Sequence, residues 1–374
     1  MIDCLKTYRR DLHQIPELGF GLDLTSRYIY DVLTDLGYHP ISMAKTGWVI
    51  AKEGKSQDAI MFRTDMDALP VDEKTGCDFQ SKHPGKMHAC GHDGHMAMML
   101  GFAAYVSTLE HLEKTIVMIF QPAEEGPGGA KVMIQEGLFD RFNIKACYGI
   151  HLYPGLDEGL YGLVDGPMMA QNGEFDGVVE GTSSHGALPH LGHDAILATA
   201  QLIQGYQSIL SRRLNPLDRA VLTVGTLHGG EARNIVAKQV NFSGTMRAFD
   251  PVVYEQMKTW MKEIEQGIEI SYRVKIHNEV KDYYPPVIND HDLFSNLKNA
   301  LKEDQYKIID PMPVSEDFAF YQQKVPGVFV MLGSKNEKKG YIHPLHSDQF
   351  QFDEHILTRG VELYQTILKI HNAI

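Results

Sequence analysis

The chain has 374 residues, 43% of them hydrophobic and 22% charged, and its 35 Lys and Arg against 48 Asp and Glu leave a formal net charge of −13. That length exceeds a single ordinary hydrophobic core, so two domains are expected. The acidic balance argues against nucleic acid and membrane surfaces as partners, because both are held through clusters of Lys and Arg.

Residues Met1 to Asp11 mix Asp, Lys and Arg without the apolar stretch of a signal peptide, and the longest apolar run, Met96 to Val106, is too short to span a bilayer. Cys4, Cys77, Cys90 and Cys147 have no framework spacing, which suits a reducing compartment. A soluble cytoplasmic protein is expected.

In chain order, Tyr28, Val32, Leu33 and Leu36 share one face of a helix that Gly37 can terminate. Ala59–Thr64 reads as a buried strand, and the carboxylates of Arg63-Thr-Asp-Met-Asp67 stand at its end. Asp65 and Asp67 there each suit either of two roles, orienting a ligand imidazole or pairing with Arg63. Met87-His-Ala-Cys-Gly-His-Asp-Gly-His95 packs three imidazoles, a thiol and a carboxylate just before a second helix, whose Met96, Met99, Leu100 and Ala103 lie on one face. Cys and His are donors that Zn, Ni, Mn or Co accept, and the glycines let the loop fold around an ion. A solvated His-rich loop at a helix start is the alternative.

Thr115–Phe120 is the next strand, and Phe120-Gln-Pro-Ala-Glu-Glu-Gly-Pro-Gly-Gly129 sets Glu124 and Glu125 at its carboxyl end, where ligands of open α/β sheets gather. One Glu on a metal and its neighbour facing a water would combine electrophile and general base; solvated or helix-capping carboxylates are the alternative. Cys147–Tyr153 carries His151, Val328–Gly333 is a fourth buried strand, and His346 lies in Pro344-Leu-His-Ser-Asp348. Each His alone reads as a structural residue. With Cys90, His92 and Glu125 they make five donors, enough for two ions sharing one bridging ligand.

The middle of the chain changes rhythm. Strands near Glu174–Glu180, Ala220–Leu227, Val240–Phe249 and Tyr272–Val280 alternate with helices near Asp194–Arg213 and Val252–Ile268, a β-α-β-β-α-β order that reads as a ferredoxin-like unit. It is expected to be inserted at about Asn172 and to close near Pro285–Pro286. Within it, Ser184-His-Gly-Ala-Leu-Pro-His190, Gly229-Gly-Glu-Ala-Arg-Asn-Ile235 and Arg247 offer a His, an amide and a guanidinium suited to an oxyanion or a carboxylate, or simply to polar surface turns.

Other catalytic templates fail. Gly181-Thr-Ser-Ser-His185 lacks the last Gly of a nucleophile elbow, no His-Glu-x-x-His occurs, and the contiguous His346-Ser-Asp348 cannot converge as a triad.

Arg9-Arg-Asp-Leu-His-Gln-Ile-Pro-Glu17, Arg63-Thr-Asp-Met-Asp-Ala-Leu-Pro70, Met87–His95, Phe120–Gly126, the His185 turn, Asn234, Ser315-Glu-Asp-Phe318 and Leu345-His-Ser347 follow one another in an order that resembles the M20 metallopeptidase family, specifically its D subfamily of amidohydrolases. The resemblance covers essentially the whole chain. It implies an α/β fold: a three-layer αβα catalytic domain with a mixed, zinc-exopeptidase-like sheet, formed by residues 1–171 and 286–374, and an inserted ferredoxin-like lid, 172–285, through which two copies pair as a homodimer. It further implies two divalent ions (Zn, Mn, Ni or Co) held by Cys90, His92, Glu125, His151 and His346, with Cys90 bridging. Glu124 matches the catalytic base. His185 matches a catalytic lid residue that stabilises the oxyanion, often in a neighbouring subunit's site, Asn234 a substrate-binding residue, and Arg247 a carboxylate anchor.

The implied substrate is a small N-acyl amino acid. Members of the subfamily act on N-acetyldiaminopimelate, hippurate, indoleacetyl-amino acids or acylated amino acids in general. Ser211-Arg-Arg-Leu-Asn-Pro-Leu-Asp218 and Val224-Gly-Thr226 are similar to the diaminopimelate deacetylases of lysine biosynthesis and also to the general hydrolases, while Ser315–Phe318 departs from the Thr-Gly-Glu-Asp-Phe associated with the former.

Overall fold

The computed structural model describes residues 2–374; Met1, the first residue of the expected catalytic segment, lies outside them. The chain divides into two units. The first runs to Gly166 and resumes over Ile288–Asp310 and Asp317–Ile374; the second comprises Pro167–Val287 and Pro311–Glu316. Pro311–Glu316 joins the second unit because Met312 bridges Met169 and the Ala170 N–H donates to the Val314 carbonyl at 2.9 Å.

The first unit is built on an eight-stranded mixed sheet in the order Ile41–Met43, Gly47–Lys52, Lys114–Gln121, Ser56–Asp65, Asn143–Asp157, Gly327–Lys335, Tyr161–Leu163, Tyr306–Ile308. The four strands read from apolar runs are its central, mutually parallel members. Their runs are continuous because both faces are covered. Alternate residues then serve different layers: Ile116, Met118 and Phe120 join one core with Ile60, Phe62, Val328, Val330 and Leu332, while Val117, Ile119, Phe329 and Met331 are buried outside it. Phe318 packs on Phe329 from that second face, with ring centroids 5.0 Å apart.

On the first face lies the helix His92–Ser107, buried on every residue from His92 to Ala103, against which Ile2–His13 and Leu357–Ile370 pack. A helix apolar all round needs such cover. The sequence reading of one apolar stripe here was too narrow, because flanking helices close its other sides. Among the described residues no helix is long and apolar enough to cross a membrane.

One polar tie fastens this layer. Asp93 accepts from Arg9 Nε at 3.1 Å and from His13 Nδ1 at 2.9 Å, and His13 Nε2 lies 3.2 Å from Glu73. Burial alone would lower the His13 pKa, but Asp93 and Glu73 raise it to about 9. A folded-state value above the unfolded one, roughly 6.5, gives stability that is fully present below pH 6.5 and lost as pH rises through about 9. In chelator, the gap in urea midpoint between wild type and His13→Gln is therefore expected to be widest at pH 6 and to close by pH 10. A gap constant across that range would refute a charged His13.

In the second unit, Ala220–Gly229, Gln239–Ala248, Gln171–Glu180 and Lys275–Asp282 form an antiparallel sheet in that order, with the helices Ala195–Ser208 and Pro251–Tyr272. Numbered along the chain the order is 2-3-1-4, the ferredoxin-like arrangement. Each helix is capped by an Asp at its start: Asp194 accepts from the N–H groups of Ile196 and Leu197, and Asp250 from the Val252 N–H, with Pro251 in the first turn. Phe175, Leu202, Phe242, Met246, Tyr254 and Met257 lie in their shared core.

Candidate metal centre

The central strands deliver their carboxyl ends to one place. Gly91, at φ 87°, turns the chain from Cys90 into the long helix, and a Cβ there would stand 2.9 Å from Leu152 Cδ1. Cys90 and His92 thus leave the loop side by side. His151 comes from the strand Asn143–Asp157, with Nε2 3.4 Å from Cys90 Sγ. Its Nδ1 donates to the Leu152 carbonyl at 2.7 Å, which leaves the Nε2 lone pair facing the thiol.

Glu124 and Glu125 follow a kinked turn. Ala123 is held at φ 60°, and Gly129 packs so closely that a Cβ would lie 1.8 Å from the Pro122 carbonyl oxygen. Donor atoms of Cys90, His92 and Glu125 all lie within 4.8 Å of one another. His346, another left-handed residue at φ 67°, anchors its N–H on the Ala89 carbonyl at 2.8 Å and brings Nε2 to 3.2 Å from Glu125 Oε1. The five donors singled out from the sequence therefore converge, four of them largely buried and His346 about half exposed.

Their electrostatics are those of an anionic pocket. Burial lowers the proton affinity of His92, but Asp65, Asp67 and Glu125 outweigh it and push the ring up to about 10. His151 is driven down to about 3 by burial and by His95. Burial, Glu125 and Glu124 hold the Cys90 thiol well above its ordinary range. Against its own burial, Glu125 is brought down to about 2 by His346 and His92.

A supporting layer fixes these groups. Asp67 accepts from the backbone N–H of both Glu124 and Glu125 at 3.0 Å each, and its carbonyl accepts from His92 Nδ1 at 2.8 Å. Of the two roles left open for Asp65, the fold shows the ion pair with Arg63. Asp65 pairs with Arg63 Nη1 at 2.7 Å and accepts from His95 Nδ1 at 2.7 Å, so the imidazole it orients is one outside the five. His95 Nε2 in turn accepts the Leu152 N–H at 2.9 Å.

The family model for peptidase family M20/M25/M40 matches residues 61–370. The chain belongs to that family. Among M20 relatives it is 36% identical to an N-acetyldiaminopimelate deacetylase of Leuconostoc citreum, over 98% of this chain and 96% of that one. It is 37% identical to an N-acetyl-L-cysteine deacetylase of Bacillus subtilis, over 97% and 87%. A solved structure of a dinuclear metal-binding M20 peptidase from Bacillus subtilis superposes with a TM-score of 0.87 at 30% identity, covering 100% of this chain and 99% of that one. The chain is thus a metal-dependent M20 amidohydrolase of mixed α/β fold with a smaller antiparallel-sheet unit.

The residues of this M20 chain fit divalent ions on their own chemistry. His92 Nε2 is fully buried and has no hydrogen-bond partner, with Asp65 Oδ2 3.6 Å away. A buried nitrogen in that condition is costly unless something accepts its lone pair or its proton. Thiol, imidazole and carboxylate together make the mixed donor set that Zn, Mn, Ni or Co takes, and the supporting Asp67 and Leu152 carbonyls hold both imidazole tautomers with Nε2 inward.

The remaining sequence candidates lie in the second unit. His185 pairs with Ile235 in a two-stranded ribbon, and the neighbouring Gly186 N–H donates to the Asn234 carbonyl at 2.7 Å, so His185 and Asn234 stand together. His185 Nδ1 accepts from the Ala187 N–H at 3.1 Å, which puts the proton of the neutral ring on Nε2. Arg247 Nη1 donates to the Pro313 carbonyl at 3.0 Å.

Sequence reasoning passed over His95 as a positioning group and Asp67 as the clasp of the Glu124–Glu125 turn. The spacing of His92 and His95, three apart at a helix start and so on one face, was the available signal for the first. For the Asp67 clasp there was none, since Glu124 and Glu125 lie 57 and 58 positions away.

Proposed function

We propose that this M20 hydrolase removes the acyl group from the nitrogen of an N-acyl amino acid, with N-acetyl-L,L-diaminopimelate as the first choice of substrate. The observation that carries the reading is that Cys90 meets His92 and Glu125 in one cluster and His151 at 3.4 Å, with His92 Nε2 buried and unpartnered and Glu124 on the same clasped turn. Cys90, His92, Glu125, His151 and His346 would hold two divalent ions. When bound, the ions supply Lewis-acid polarisation of the amide carbonyl and acidify a water.

The protein's own groups do the rest. Glu124 takes the proton of the attacking water and returns it to the leaving amine nitrogen, a transfer that needs a carboxylate held at one fixed position. The Asp67 carboxylate gives it that position by gripping the Glu124 N–H. His185 donates from Nε2–H to the tetrahedral oxyanion. Asn234 beside it and Arg247 bind the amino acid portion, the guanidinium taking its carboxylate.

Two deacetylases among the relatives favour an acetyl group. The amino acid is tested by kcat/KM of the metal-loaded enzyme on N-acetyl-L,L-diaminopimelate, N-acetyl-L-cysteine, N-acetylmethionine, hippurate and indoleacetyl-alanine. At least a tenfold lead for N-acetyl-L,L-diaminopimelate is expected, about 1.4 kcal/mol of transition-state preference. A lead for hippurate or the indoleacetyl conjugate overturns the substrate, and no turnover of any of the five overturns the reaction class.

A further inference from the structure

A second group of ligand-type side chains lies apart from the Cys90 centre, where the helix Ile2–His13 meets the segment between the strand Ser56–Asp65 and the helix His92–Ser107. Donor atoms of His13, Glu73 and Cys77 all lie within 4.8 Å of one another. Glu73 Oε1 is 3.2 Å from His13 Nε2 and 3.7 Å from Cys77 Sγ. Two ligands on a tetrahedral zinc ion, at Zn–N of about 2.0 Å and Zn–S of about 2.3 Å, stand about 3.5 Å apart. Glu73 Oε1 is thus already spaced from both His13 Nε2 and Cys77 Sγ as two donors to one ion stand.

The surroundings are arranged in the same sense. His13 Nδ1 faces Asp93 Oδ2 at 2.9 Å, the carboxylate–imidazole pair that in metal sites fixes the tautomer and points Nε2 outward. Glu73 is positioned by the Thr75 hydroxyl and by the Ser81 N–H, 2.7 Å from Oε2. His13 and Glu73 are almost fully buried while Cys77 is half-buried, so the cluster opens to solvent on the thiol side. His88, buried with both ring nitrogens unpartnered, adjoins it with its ring centroid 6.3 Å from that of His13.

We propose that His13, Glu73 and Cys77 bind a further divalent cation of zinc type, leaving one coordination position for water and tying the N-terminal helix to the segment that carries Asp67. Binding balances in charge and atoms. The ion enters with two positive charges, the protonated His13 gives up its Nε2 proton, and the Cys77 thiol gives up its own. Two protons leave, and the net charge of the cluster is unchanged. The buried ion pair of Asp93 with Arg9 therefore need not rearrange.

The test reads a difference, independent of how many ions the Cys90 centre holds. Full-length protein is stripped with chelator, reloaded with excess Zn²⁺, desalted and assayed for zinc per chain, as wild type, Cys77→Ser and Glu73→Gln, with circular dichroism verifying the fold of each. Wild type is expected to retain one more ion per chain than either variant. On Co²⁺ loading, the wild-type minus Cys77→Ser spectrum is expected to carry a thiolate-to-cobalt charge-transfer band. Equal zinc content in wild type and a folded Cys77→Ser, or a featureless cobalt difference spectrum, overturns the site. Because Cys90 and Glu124 are intact in all three proteins, failure here leaves the proposed hydrolysis untouched, and failure of the hydrolysis leaves this count readable.

Discussion

Replacement of Glu124 by Gln is expected to lower kcat by about 10²- to 10⁴-fold, the range that a positioned general base supplies, with zinc or manganese content per chain unchanged. Glu124 is buried, stands next to Glu125 on the turn clasped by Asp67, and Gln keeps its size and its backbone N–H contact at 3.0 Å. A group needed only in the transition state lowers kcat and kcat/KM together. Wild-type turnover in that variant would remove Glu124 from the mechanism, whereas loss of metal along with activity would make it a ligand instead.

The second large effect is on stability. Arg63 is 1% exposed and divides its guanidinium among Asp65 at 2.7 Å, Asp317 at 2.7 Å and the Gln121 side-chain oxygen at 3.0 Å. Asp317 also accepts from Gln121 Nε2 and from the Ala130 N–H, so one cation stitches two strand ends, the turn that carries Asp317 and the start of a helix. Breaking a buried pair from one side strands a charge that water cannot reach, at a cost of about 3–5 kcal/mol. Arg63→Met is expected to lose that much in urea unfolding, with an unchanged m-value. A loss below about 1 kcal/mol would mean that water enters this network freely. The same change leaves Asp65 without its cation, so His95 and the Leu152 N–H it holds are disturbed next to His151.

Several features of the molecule were legible in the chain alone. The four buried strands were visible because strands covered on both faces must be apolar throughout, a local property of Thr115–Phe120 or Val328–Gly333 that no distant residue can alter. The ferredoxin-like order was visible for a similar reason, since each strand or helix pattern is carried by its own segment, although the caps Asp194 and Asp250 appear only in the fold. The outer strands Ile41–Met43, Gly47–Lys52, Tyr161–Leu163 and Tyr306–Ile308 were missed. Three of the four are three residues long, too short to show a period of two, and are strands because a neighbour offers an edge.

The same division runs through the site. The donor types and their positions at strand ends, Cys90 and His92 in one loop, Glu124 and Glu125 in another, are written in sequence because each motif is contiguous. Which nitrogen of His92 or His151 carries a proton, which carboxylate of Asp65 and Asp67 clasps what, and that Arg63 meets a residue 254 positions away at Asp317 were decided only by the fold. Hydrogen bonds and ion pairs act over about 3 Å, so their partners exist only once the sheet has brought distant strand ends together.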